Sequence, residues 1–181
     1  MSESTIIGNT ARLILTMHER TSGLAEALRQ GIEPAIAASM PTSGGEVINC
    51  NHATFVYGHL GIYPQMIMRA LGTDPGDAAV PESYEALFQA GVSCQHDPEN
   101  RIYPALDEVF GQFQRGHKAL HEYLALQDDA GICKPIVDNE RAAEFFGSCD
   151  AMALFMLHDH FMFHLGQLST WRRCMGLGSA M

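Results

Sequence analysis

Positive charge is scarce in this chain. Its 11 lysines and arginines face 21 aspartates and glutamates, a formal net charge of -10. A general nucleic-acid binder needs a basic footprint to displace counterions, and docking on an anionic bilayer needs one too. Neither partner is expected. No apolar run is long enough to span a bilayer: the best, Ala151 to Leu157, is short and is followed by His158 and His160. No C-x-x-C pair occurs among Cys50, Cys94, Cys133, Cys149 and Cys174, and their odd number speaks against a disulfide framework. The stretch from Met1 to Asn9 has no apolar signal core. A reducing, cytoplasmic setting is therefore expected. Alternating β-branched runs are missing, and so is any internal repeat.

What is present is helical periodicity. A chain of 181 residues with 46% hydrophobic content suits one domain, 1–181, with a sizeable core. Leu13, Ile14, Met17, Leu24 and Leu28 recur at helical spacing and predict a first helix from about Thr10, its cap, to Arg29, with Gly31 as the stop. A Gly-, Pro- and Ser-rich connection, 30–49, follows. A second helix is expected from an Asn51 cap to near Gly72, with Phe55, Val56, His59, Tyr63, Met66 and Ala70 on one face. Pro64 inside it should bend it or delete one backbone bond. The segment 73–101 reads as a long linker with a short helix at 82–89. The third helix is expected over 103–126, with Pro104 in its first turn. A polar loop, 127–139, and a helical turn near 141–146 come next. The fourth helix should start at a Ser148 cap, carry Arg172 and Arg173 in its last turn and stop at Gly176. The expected fold is all-α, a four-helix bundle with a crossover connection.

The fourth helix carries the chemistry. His160 and His164 lie four residues apart, so they project from one side on successive turns. The wheel puts Ala153, Met156, Leu157, Gln167 and Trp171 on that side, the core stripe, and His158, Met162, Ser169, Arg172 and Arg173 elsewhere. A buried imidazole nitrogen left unpaired costs about 1–3 kcal/mol, and a divalent ion satisfies two at once. H-x-x-x-H is also met by two hydrogen-bonded core histidines, or by one core and one surface histidine. His59, on the apolar face of the second helix, strengthens the metal reading. Three imidazoles from two helices leave coordination positions open, as a reactive centre requires. Zinc, nickel, iron, copper or manganese all suit such ligands. Gln167, one turn beyond His164, is placed to orient a ligand or a bound water. His52 reads as a cap-region residue or a supporting neighbour of His59, and His117 as a satisfied core histidine. His18 and His121 read as surface or rim, and His96 as a loop residue of the long linker.

Three strings make the chain familiar. They are Asn51-His52-Ala53-Thr54-Phe55-Val56-Tyr57-Gly58-His59-Leu60, then Tyr103-Pro104-Ala105-Leu106-Asp107-Glu108, and finally His160-x-x-x-His164-x-Gly166-Gln167-Leu168 followed by Arg172-Arg173-x-x-Gly176. Together they resemble the DinB-like (DinB/YfiT) superfamily of metal-binding four-helix bundles, with Phe55 where a Trp is common. The resemblance implies a metal held by His59, His160 and His164, crossover topology and a homodimer. It also implies a small-molecule activity, either thiol-dependent transfer using a low-molecular-weight thiol or hydrolysis. The alternative is a non-catalytic metal- or small-molecule-binding dimer.

Overall fold

The computed structural model describes residues 7–137 and 139–180. The described residues are mostly helical. In order it forms α1 (Asn9–Arg29), a two-residue hairpin of β1 (Thr42–Ser43) and β2 (Glu46–Val47), α2 (Ala53–Gly61), α3 (Tyr63–Ala70), α4 (Glu82–Phe88), α5 (Leu106–Leu124), α6 (Asp129–Ile132), α7 (Glu140–Phe146), α8 (Cys149–Leu154), a π turn (Phe155–Asp159) and α9 (His160–Cys174). The hairpin corrects the expectation of no strands; it is exposed and turns through Gly44 and Gly45 at positive φ. Among the described residues no helix is long and apolar enough to cross a membrane.

The helix starts differ from those read locally. Asn9, not Thr10, opens α1, and the cap comes from another element: the Asp129 carboxylate of α6 accepts from the Thr10 amide at 2.9 Å. His52, not Asn51, caps α2, its Nδ1 accepting from the Phe55 amide at 3.2 Å. Ser148 stands at the N-cap of α8 without a side-chain cap bond. Pro104 lies ahead of α5, not within it. It pushes Tyr103 away from helical geometry, and the buried Asp97 carboxylate takes the amides of Arg101, Ile102 and Tyr103 at 2.8–3.1 Å. Gly31 and Gly176 do end their helices, each with φ above +70°, where a side chain would be strained.

The second helix is not continuous. Pro64 has no amide hydrogen for the Leu60 carbonyl, and the helix breaks at Ile62 into α2 and α3. Every residue of α2 is buried, so it has no solvent face, while Met66 of α3, expected on the apolar stripe, is exposed. α2 packs on α5, α9 and α4, and α1 packs on α9.

Two apolar clusters form the core. One gathers Leu28, Phe55, Leu60, Phe113, Phe161 and Trp171; the other gathers Ile14, Ile67, Leu71, Leu120, Leu124 and Leu157. Buried polar side chains lie between them along the chain: His18 and Thr21 on α1, His117 on α5. His18 therefore corrects the surface assignment. Its Nε2 lies 2.9 Å from His117 Nδ1. Arg172 is likewise buried, not solvated, and donates Nη1 to the carbonyls of Leu28 and Gln30 at 2.7 Å each, closing the end of α1.

Candidate metal centre

His59 sits in the last turn of α2, and His160 opens α9 directly after the π turn. A π turn inserts one residue into a helix and shifts everything beyond it around the axis. The stripe that faces the core is consequently Ala153, Leu157, Phe161, Leu165 and Leu168, and His160 with His164 flanks it on the side of α2. His59 and His164 are buried and His160 is half-buried.

The three rings meet through Nε2. His160 Nε2 lies 3.2 Å from His59 Nε2 and 3.0 Å from His164 Nε2. The ligand atoms of all three lie within 4.8 Å of one another, a spacing that could hold a metal ion. Donor atoms on tetrahedral or octahedral arms of about 2.05 Å stand about 2.9–3.3 Å apart, and the two pairs through His160 match that spacing.

The opposite ring nitrogens fix the tautomers. His59 Nδ1 is 2.6 Å from the Phe88 carbonyl, which can only accept, so Nδ1 carries the hydrogen and Nε2 a bare lone pair. His164 Nδ1 is 2.9 Å from Gln167 Oε1, which also accepts from Asn51 Nδ2 at 2.9 Å, so its Nε2 is bare too. Two lone pairs thus face the third ring, which can offer a hydrogen to only one of them; the Tyr63 hydroxyl, 3.2 Å from His59 Nε2, can serve the other, and a cation would answer both. His160 Nδ1 is buried and has no hydrogen-bond partner among the described residues.

Burial keeps the rings neutral. His160 is pushed down to about 3 by desolvation and then by His164 and His59; His164 falls to about 4 by desolvation and then by His59. His59 is also lowered, chiefly by burial. Neutral imidazole is the form that binds a metal.

Gly58 explains how the Phe88 carbonyl comes so close. A Cβ there would lie 2.4 Å from the Phe88 ring, so only glycine lets the end of α4 close on α2. Three contributors to the centre were not identified from the sequence. The Phe88 carbonyl is a backbone group from the long linker. Asn51, read as a cap, instead clamps Gln167. The Tyr63 hydroxyl lies 3.2 Å from His59 Nε2, and burial raises it to about 12, so it stays protonated at neutral pH. Its position one turn after His59 was the signal for it.

The remaining expectations fall as follows. Gln167 touches His164 as described. His52 uses Nδ1 as the cap and Nε2 on the Gln95 carbonyl at 3.0 Å, so neither nitrogen is left for a bound group. His117 is a core histidine. His121 is half-buried near the Glu19 carboxylate at 3.8 Å. His96 holds a loop, accepting from the Met40 amide at 2.9 Å.

Space lies on two sides of the centre. A recess of about 390 Å³ beside His59 and His164 is lined by Asn51, Gln89, Ser93 and Cys94. On the side of His160 and Tyr63 two adjoining hollows, of about 330 and 540 Å³, share Tyr63, Phe146 and Met156. No family model, curated protein or solved structure matches the chain.

Proposed function

We propose that this chain is a four-helix bundle of the DinB-like type, with crossover connections, that binds one divalent transition metal and acts on a small molecule. The reaction is transfer of a low-molecular-weight thiol to an electrophile, or a hydrolysis. One observation carries the reading: three neutral imidazoles converge through Nε2, and two of them are locked in the metal-binding tautomer. Three ligands leave open positions, unlike a closed structural site.

A divalent ion at this centre supplies a Lewis acid that lowers the pKa of a bound thiol or water. His59, His160 and His164 each offer one Nε2 lone pair. Asn51 and Gln167 hold the His164 ring, and the Phe88 carbonyl holds the His59 ring. Tyr63 keeps its proton and can donate a hydrogen bond to negative charge arising beside His59.

The test is metal analysis of the purified chain, followed by thiol-transfer and hydrolase panels. About one ion per chain is expected, lost together with activity when all three histidines become alanine. A metal-free protein whose triple variant retains the same activity would sink the proposal. A second reading, a non-catalytic metal- or small-molecule-binding dimer, is favoured by the absence of a carboxylate in the cluster among the described residues: Asp159 is exposed and lies 2.8 Å from His158 Nδ1. Stoichiometric ligand binding without turnover of any panel compound would select it.

A further inference from the structure

We infer that the hollow beside His160 is the binding pocket for an apolar substrate body, an aryl group or a short alkyl chain, whose reacting end lies at the centre. This deepens the preceding proposal and rests on it for the reacting end only; the pocket itself is argued independently.

The two hollows on that side share five lining residues, Tyr63, Asn139, Ala142, Phe146 and Met156, so they lie side by side and together would take one elongated body. His160 and Phe155 line one part of it, while Met152, Ile67 and Ile136 line the other. Their volumes, about 330 and 540 Å³, fall in the range of small-molecule sites. The polar residues of the lining are Tyr63 and Asn139, shared by both hollows, with Arg69 in one and Arg141, Glu144 and His160 in the other. Methionine and phenylalanine between them give an apolar, adaptable wall.

The wall contributed by α7 is unusual. No residue of α7 is buried, yet it carries two consecutive phenylalanines. Phe145 is 70% exposed, and Phe146 packs against Phe155 at 5.4 Å between ring centres. Phe155 in turn stacks on the ligand ring of His160 at 6.1 Å and 26°. The aromatic row therefore runs from the metal ligand outward along the hollow. Apolar area left uncovered by the protein favours an apolar occupant. The recess on the other side, beside Asn51 and Ser93, is polar and suits a hydrophilic co-ligand instead. The apolar stretch of the pocket thus selects its substrate by the length and shape of an apolar body.

The test uses protein labelled with ¹³C at methionine methyls, because Met66, Met152 and Met156 line the hollow. Linear thiols from ethanethiol to octanethiol are titrated anaerobically into zinc-treated and metal-free protein. The expected result is shifts at these three methyls, with affinity rising about fourfold per added methylene until the space is filled. That slope should appear in both preparations, and Phe146→Asp, or Phe146→Ser should the first fold poorly, should flatten it. Affinity independent of chain length, or shifts confined to other methionines, overturns the inference. Metal content is read separately: failure to bind any of zinc, nickel, iron, copper or manganese refutes the metal reading, and the slope in the metal-free protein still decides the pocket.

Discussion

His117 donates its Nε2–H to the carbonyl of Leu60 across 3.2 Å, in the place where an unbroken helix would have used the amide of residue 64. That residue is Pro64, which has no amide hydrogen. The acceptor belongs to the residue that follows the metal-ligand candidate His59. A parallel arrangement serves the other helix: the Thr21 hydroxyl donates to the Leu157 carbonyl at 2.9 Å, inside the π turn that precedes His160. The buried polar residues of α1 and α5 thus satisfy backbone carbonyls at both helix irregularities that aim the histidines. Because the Leu60 carbonyl can only accept, His117 Nδ1 is bare and accepts from His18 Nε2.

His117→Leu leaves the Leu60 carbonyl and His18 Nε2 buried without partners. At about 1–3 kcal/mol for each unsatisfied group, a loss of roughly 2–6 kcal/mol is expected, read from urea midpoints. A midpoint equal to that of the parent chain would show that the pair does not brace the break.

Gln167→Ala removes the acceptor that fixes the His164 tautomer and frees Asn51. A fall of roughly 10–100-fold in metal affinity is expected, with little change in folding stability, since Gln167 is only partly buried. Competition against a chromogenic chelator measures it. Unchanged affinity would mean that His164 is oriented by packing alone.

Adjacent arginines should behave differently. Arg172→Ala strips two hydrogen bonds from the end of α1 and costs about 2–4 kcal/mol; the exposed Arg173→Ala costs less than about 0.5 kcal/mol. Thermal melts of the two variants compare them directly, and equal losses would contradict the buried role of Arg172.

Acid should unfold the protein before its carboxylates titrate. Burial lowers His18 and His52 to about 4 and His117 well below 6.5. Between the unfolded value of 6.5 and about 4 the unfolded chain binds more protons than the folded one, so unfolding becomes easier as pH falls. Stability is full above pH 6.5 and declines through this window. Each group costs about 1.4 kcal/mol per pH unit, which amounts to several kcal/mol by pH 5 for the three together. Urea midpoints at pH 7.5, 6 and 5 follow the decline, and a flat profile would place these histidines in solvent.

Helical spacing was enough to select His160, His164 and His59 and to foresee the effect of Pro64, because these depend on residues within one or two turns of one another. It was enough, too, to set most helix ends near Gly31, Arg29 and Gly176, where one residue's backbone preference decides. Capping went astray where the donor or acceptor came from elsewhere, as with Asp129 on Thr10. The wheel of the fourth helix misplaced Arg172 because the π turn adds a residue to the period, and nothing in a 3.6-residue pattern announces it.

By itself, then, the amino-acid order determined a mostly helical chain and the three imidazoles that belong together, since short-range periodicity is written directly in residue spacing. Only the folded chain decided which nitrogen of each ring faces inward, that His18 and Arg172 are buried, and that Phe88, Asn51 and Tyr63 join the centre. Those outcomes depend on hydrogen bonds and ring contacts, several of them between segments from 29 to 144 residues apart, and no local preference encodes such distances.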